Sequence, residues 1–274
     1  MDDLLNNPAV QGGLAPFAVA LVVAFALFSL RLAGLAIAAA LGTAVYLIGG
    51  FAFPLVSAQQ KILLIALAMP VLGLIVDLAF KPTRVAGPVL GLIVGLLVLW
   101  VGWNILKQKD MPAALAAGAG VVALVAWLTG ATFALRDDPV RAGAAVLTLG
   151  VGIGVSAVLS ASASYGLYAV SVGAGAGAFL LVQMLLNRTI VAGATFSLAG
   201  GVACGLIAAG ASLSSPPMPW YATAVFALVP VATLLPLPKA GIWLQAIVAS
   251  IYGGIASLAA CLLAWPEVQQ RLGL

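Results

Sequence analysis

Fifty consecutive residues, Thr189 to Pro238, pass without one Asp, Glu, Lys or Arg. A stretch of that length has no charged face to offer water, and the rest of the chain is nearly as bare. Eleven Lys and Arg and 7 Asp and Glu are spread over 274 residues, of which 64% are apolar. Soluble domains carry about 25% charged residues. The chain therefore reads as an all-α polytopic membrane protein. Run length selects helices over barrel strands, which would be ~10-residue segments of alternating polarity.

A span needs about 20 apolar residues to cross roughly 30 Å of hydrocarbon. The chain thus has room for a bundle of about ten transmembrane helices with short loops and no soluble domain. Charges, prolines and polar clusters predict helices over Leu14–Leu30, Leu32–Phe53, Ile62–Phe80, Val85–Leu106 and Met111–Leu135 in the first half. The second half gives Ala142–Ala161, Tyr165–Leu186, Thr189–Ala211, Trp220–Leu237 and Gly241–Trp265. Residues 1–13 form a polar N-terminal segment, 14–265 a single transmembrane domain with halves 14–135 and 142–265, and 266–274 a short C-terminal tail. Two boundaries are thin. Leu14 to Phe53 holds one charge, Arg31, so the chain is expected to fold back near Arg31 and Gly34; Ala142 to Leu186 holds none, and its best turn is Ser160 to Gly166. Loss of either turn leaves nine spans.

The N-terminus lacks the basic start and cleavage site of a secretory signal, so the first apolar run is expected to remain in the protein. Trp103, Trp220, Trp243 and Trp265 fall at proposed helix ends, where interfacial aromatics belong. Loops on one side carry Arg31, Lys81, Arg84, Arg136, Arg141, Arg188 and Lys239; the other side carries Lys61, Lys107, Lys109 and Arg271. The positive-inside rule then places both termini outside the cytoplasm. The Ala, Gly, Leu and Val-rich vocabulary points to a bacterial cytoplasmic membrane.

Several chemistries are excluded or disfavoured. Without histidine, imidazole acid/base catalysis and His-based zinc or haem sites are impossible. Cys204 and Cys261 lie in apolar runs, where a free Cys behaves as a small hydrophobe. The net charge of +4 is scattered singly rather than clustered, so no nucleic-acid partner is expected. Asp137 and Asp138 form an adjacent acidic pair without a second carboxylate cluster, which reads as a solvated loop rather than a metal site. No cofactor, metal or enzymatic activity is expected.

What remains are intramembrane polar groups and packing marks. Asp77 is the one acidic residue inside a proposed span, and such residues are functional candidates. It also precedes Lys81 by four positions, a spacing that favours an ion pair at the helix end. Pro70 interrupts helix three; Pro230 and Pro236 bracket Thr233 in helix nine, where a broken helix could offer carbonyls to a cation or polar solute. Ser156, Ser160, Gln183 and Gln245 could line a pathway or bond between helices. Gly150, Gly152 and Gly154 in helix six, and Gly173, Gly175 and Gly177 in helix seven, contain the pairs Gly150/Gly154 and Gly173/Gly177, which allow close backbone approach. The heptapeptide beginning at Pro70 recurs at Pro88. An offset of 18 residues places the copies at different depths, which favours coincidence of composition over a structural repeat.

Two functions fit. A small secondary transporter or exporter of a small or largely apolar solute would use the glycine-rich pair and the proline-broken helices as its pathway, with Asp77 as the coupling group. Its helix count allows a five-plus-five inverted repeat. A non-catalytic accessory subunit of a larger membrane complex would need apolar faces, small-residue stripes and minimal loops, all present. The partners expected are the lipid bilayer and either other membrane subunits or a second copy. A subunit should turn a small-residue stripe outward, whereas a lone transporter should bury its small residues within one bundle.

Overall fold

The structure, a computed structural model, describes residues 7–30, 32–50, 57–79, 83 and 85–272, with side chains as far as Trp265. Among the described residues there is no strand. Seven helices are long and apolar enough to cross a membrane: α1 (Val10–Leu30), α3 (Ala58–Ala79), α5 (Met111–Ala134), α6 (Pro139–Ser160), α7 (Ala163–Leu186), α8 (Gly193–Leu213) and α10, whose apolar part is Ile242–Trp265. Three are shorter: α2 (Ala33–Ile48), α4 (Ala86–Val101) and α9 (Trp220–Ala232). At 1.5 Å per residue, α9 extends only about 20 Å.

Both thin boundaries are helix breaks. α1 ends at Leu30 and α2, which packs on it, begins at Ala33; α6 and α7 are parted at Ala161 and Ser162. Three expectations need correction. α1 starts at Val10, inside the predicted polar segment; α10 continues to Leu272, through the predicted tail, leaving Trp265 inside a helix. α3 runs unbroken through Pro70, whereas α9 narrows to a 3₁₀ turn at Phe226–Leu228 and stops at Ala232, short of Leu237. The predicted ends of helices two and three, Phe53 and Phe80, and the cations Arg31, Lys81 and Arg84 lie outside the described residues.

The outer helix α10 is built inside out relative to a helix of a soluble protein, although the bundle's centre does bury large side chains such as Phe133, Leu128 and Leu149. On α10, Ile247, Ile251, Ile255, Leu258 and Leu262 point outward, while Ala249, Ser257, Ala260 and Ala264 point inward. Lipid tails are as apolar as leucine, so burying large aliphatics gains little; close packing of small residues holds the helices together. α8 lies at the centre, with 94% of its apolar window buried against α3, α5, α6 and α7, Phe196, Leu198, Leu206 and Ile207 included. Phe196 of α8 stacks on Phe179 of α7 with centroids 4.3 Å apart.

Neighbouring helices alternate in direction. α6 and α7 are antiparallel: Gly150 lies against Gly173, and Gly143 against Leu180. α4 and α5 pair likewise, through Gly87 against Phe133 and Gly95 against Val122. α2 runs antiparallel to α7, with Gly49 beside Tyr168 and Ile37 beside Gly175. α6 and α10 are parallel instead, in a constant register of 105 positions: Thr148 faces Gly253, Gly152 faces Ser257 and Ser156 meets Cys261.

Candidate functional site

Asp77, exposed near the end of α3, is a cap. In the last turn of α3, Asp77 Oδ1 accepts the Ala194 N–H at 2.7 Å, and Oδ2 accepts the Thr195 N–H at 2.8 Å and the Thr195 hydroxyl at 2.7 Å. The first N–H groups of a helix have no intrahelical acceptor, and a carboxylate there also meets the positive end of the helix dipole. Gly193 makes this possible. Its φ of +64° suits glycine, and a Cβ there would stand 2.7 Å from Asp77 Oδ2. One turn earlier on α3, a Cβ at Gly73 would meet the Thr195 Cα at 2.6 Å, so the two backbones touch. The predicted Lys81 partner lies outside the described residues.

Pro70 is buried on the same face of α3, one turn before Gly73. The repeated heptapeptide does place its copies at different depths, mid-helix in α3 and at the start of α4. Both copies nevertheless use the glycine alike. Gly91 meets Ala126 of α5 as Gly73 meets Thr195, with a Cβ contact of 2.8 Å.

Pro230, Thr233, Ser156 and Ser160 lie on the opposite flank. The buried Thr233 hydroxyl donates to the Pro230 carbonyl at 2.8 Å, and Ser160 donates to the Ser156 carbonyl at 2.6 Å. Along the α6–α10 seam, Ser257 Oγ donates to the Thr148 carbonyl at 2.7 Å, Ser156 Oγ donates to Cys261 Sγ at 3.4 Å, and Cys261 Sγ reaches the Gly152 carbonyl at 3.5 Å. The candidate residues are therefore not gathered at one point: Asp77 and Pro70 lie on α3, Thr233 lies beside Gly253 of α10 at the level of Thr148, and Ser156 and Ser160 lie further along α6.

Carbonyls around the break in α9 and in the segment after it find partners from the neighbouring helices. Trp127 Nε1 of α5 donates to Ala227 O at 2.8 Å; Arg141 Nη1 of α6 donates to Leu234 O at 3.0 Å; Gln245 Nε2 of α10 donates to Ala240 O at 2.9 Å. The carbonyls expected to await a solute are engaged within the protein. Gln183 is buried, its Oε1 accepting the Ile190 N–H at 3.3 Å, and its Nε2 has no partner among the described residues; the same is true of Thr129 Oγ1 between α4, α5 and α8.

The glycines divide by function. Cβ atoms at Gly150 and Gly154 would strike α7, at Gly173 and at Val170 and Gly166, and one at Gly152 would strike Ser257 of α10. Gly175 serves α2, with Ile37 Cα at 2.9 Å. Gly177 has no such contact; its nearest neighbour is Leu147 at 3.5 Å.

A groove of about 580 Å³ opens between α4, α5 and α9. Its floor is α5 from Ala123 to Leu135, and Pro88 and Leu234 stand on opposite walls. Beyond Leu135 come Arg136, whose guanidinium lies 4.5 Å from the Phe133 ring centroid, and the acidic pair. Asp137 is 86% exposed; Asp138 pairs with Arg141 at 3.1 Å and also accepts the Arg141 N–H, capping α6. No group of three or more metal-ligating side chains occurs among the described residues.

Seven helices long and apolar enough to cross a membrane place the chain in the class of multi-pass helical membrane proteins. No protein-family model matches the chain, and no curated protein matches it.

Proposed function

We propose that the protein is a small secondary transporter or exporter that moves a small or largely apolar solute by rocking one half of its bundle against the other. The observation that carries this reading is the pairing of helices five apart in the chain. α2 packs on α7 and α3 on α8, two of the five pairs at that separation, while the close packing of α6 on α10 has no counterpart between α1 and α5 among the described residues. An inverted repeat of five plus five helices generates such pairs, and many secondary transporters are built that way. In this reading all ten helices cross a bacterial inner membrane, with both termini outside the cytoplasm and the halves 14–135 and 142–265 as the moving units.

Asp77 is the proposed coupling group, because its bonds join the two halves. It accepts three hydrogen bonds from α8, so a coupling ion that engages the carboxylate competes directly with the α3–α8 clamp.

The accessory-subunit reading rests on a different observation. Ala116, Gly120 and Ala123 of α5 are exposed, and nothing lies within 4 Å of a Cβ at Gly120. That is an outward small-residue stripe. Mild-detergent extraction with size analysis and mass spectrometry separates the two. A lone chain or homodimer supports transport, and a stoichiometric set of other proteins supports the subunit. Spin labels at Lys109 and Ser162, in a Cys261→Ser background, test the motion itself. The transporter should show two interconverting distances that Asp77→Asn collapses towards one; a single unresponsive distance ends the rocking proposal.

A further inference from the structure

The α4–α5–α9 groove is half a membrane long. From Ala123 to Leu135 its α5 floor rises about 18 Å, against roughly 15 Å for one leaflet of hydrocarbon. The groove runs from mid-helix to the end of α5, where α6 begins, and its α4 wall, Pro88, lies in the first turn of that helix. A partner transmembrane helix would need a track across the whole bilayer, and an aqueous solute would need polar walls. The floor offers Ala126, Ala131 and Ala134 instead, small side chains that leave room for a thin apolar chain.

The mouth of the groove is charged but balanced. Arg136, Asp137, Asp138 and Arg141 follow the last floor residue and sum to zero. The Arg141 guanidinium is fixed at the groove wall by its bond to the Leu234 carbonyl, and a guanidinium carries five N–H donors in all. The Asp137 carboxylate projects from the loop, 86% exposed. A phosphate can therefore meet a donor beside the wall and an ammonium can meet a carboxylate just outside it. Asp137 already faces Arg136 at 3.9 Å and Asp138 faces Arg141 at 3.1 Å, so the mouth has no excess positive charge to favour an anionic headgroup, whereas a headgroup carrying both signs can share these pairs.

With the helices embedded in a membrane, we infer that this groove binds one acyl chain of a zwitterionic, amine-bearing phospholipid, its phosphate on Arg141 and its ammonium on Asp137. The site does not depend on the transport reading. It is a lipid site built into the half of the bilayer where α5 ends.

The test is native mass spectrometry of the delipidated full chain in detergent. It is titrated with phosphatidylethanolamine, phosphatidylcholine and phosphatidylglycerol of identical acyl chains. The wild type should retain the ethanolamine lipid best. Ala131→Leu and Ala134→Trp fill the floor and should lower its occupancy about tenfold or more, since two or three methylenes lose their burial. Asp137→Asn removes the charge felt by both amines and should weaken both, the ethanolamine lipid more, because only its ammonium also donates N–H bonds to the carboxylate; the preference over the choline lipid should therefore narrow. Ala134 is exposed, so its variant reports even where Ala131→Leu does not fold. Preference for the glycerol lipid, equal retention of all three, or filled variants that bind like the wild type would each overturn the assignment.

Discussion

Asp77 and Thr195 join the end of α3 to the start of α8 by two bonds, one from the Thr195 backbone N–H at 2.8 Å and one from its hydroxyl at 2.7 Å. A side chain 118 positions away in sequence thus caps the central helix of the bundle. Local capping residues do the same for surface helices. Here the cap also ties two spans together.

Removing that cap should lower stability in a graded way. Asp77→Ala loses all three acceptor contacts and should cost about 1–3 kcal/mol, whereas Thr195→Val loses only the hydroxyl and should cost about 1 kcal/mol. Thermal unfolding in detergent reads both. An Asp77→Ala protein that melts like the wild type would show that the cap contributes nothing.

Glycines at equal sequence spacing should respond unequally. A Cβ at Gly150 collides with the Gly173 backbone, which cannot rotate away, so Gly150→Ala should destabilise by about 1–3 kcal/mol. Gly177→Ala meets only ordinary contacts and should be neutral or stabilising by up to about 1 kcal/mol, because alanine is the better helix former. Melting temperatures of the two variants, compared side by side, settle whether the crossing or the motif matters.

The parallel register of α6 and α10 can be trapped chemically. Ser156 Oγ lies 3.4 Å from Cys261 Sγ, so Ser156→Cys should form a disulfide with Cys261 under mild oxidation. The buried Cys204 should stay free. Peptide mapping identifies the pair, and a slipped or antiparallel arrangement would yield no such cross-link.

Trp127→Phe tests the break in α9. It keeps an aromatic ring but withdraws the N–H from the Ala227 carbonyl, and should cost about 1 kcal/mol. Faster amide exchange confined to α9 would accompany the loss. Unchanged exchange there would mean that the indole does not hold the break.

Spans were legible because a membrane helix announces itself by length and lack of charge, and the two faint turns by a single cation and a serine cluster. The lengths of α2, α4 and α9 were not, since neighbours that shield a short helix leave no mark in its own sequence. Asp77 could be found; its partner could not, because Gly193-Ala194-Thr195 begins a run that otherwise looks like any apolar stretch. A signal was overlooked at the α6–α10 seam. Thr148, Gly152, Ser156 and Ser160 recur every fourth residue, as do Ala249, Gly253, Ser257 and Cys261, and two such ladders describe complementary faces.

The burial of α8 also sets an order of events during synthesis. Its principal neighbours, α3, α5, α6 and α7, all precede it in the chain. The helix least exposed to lipid therefore enters the membrane when its cradle has already been made. A chain truncated after Leu213 and released into the membrane should already shield α8 from protease and alkylating reagents. The exposed interval comes afterwards, while the ladder on α6 waits bare for α10, and that is when a membrane chaperone would have most to protect.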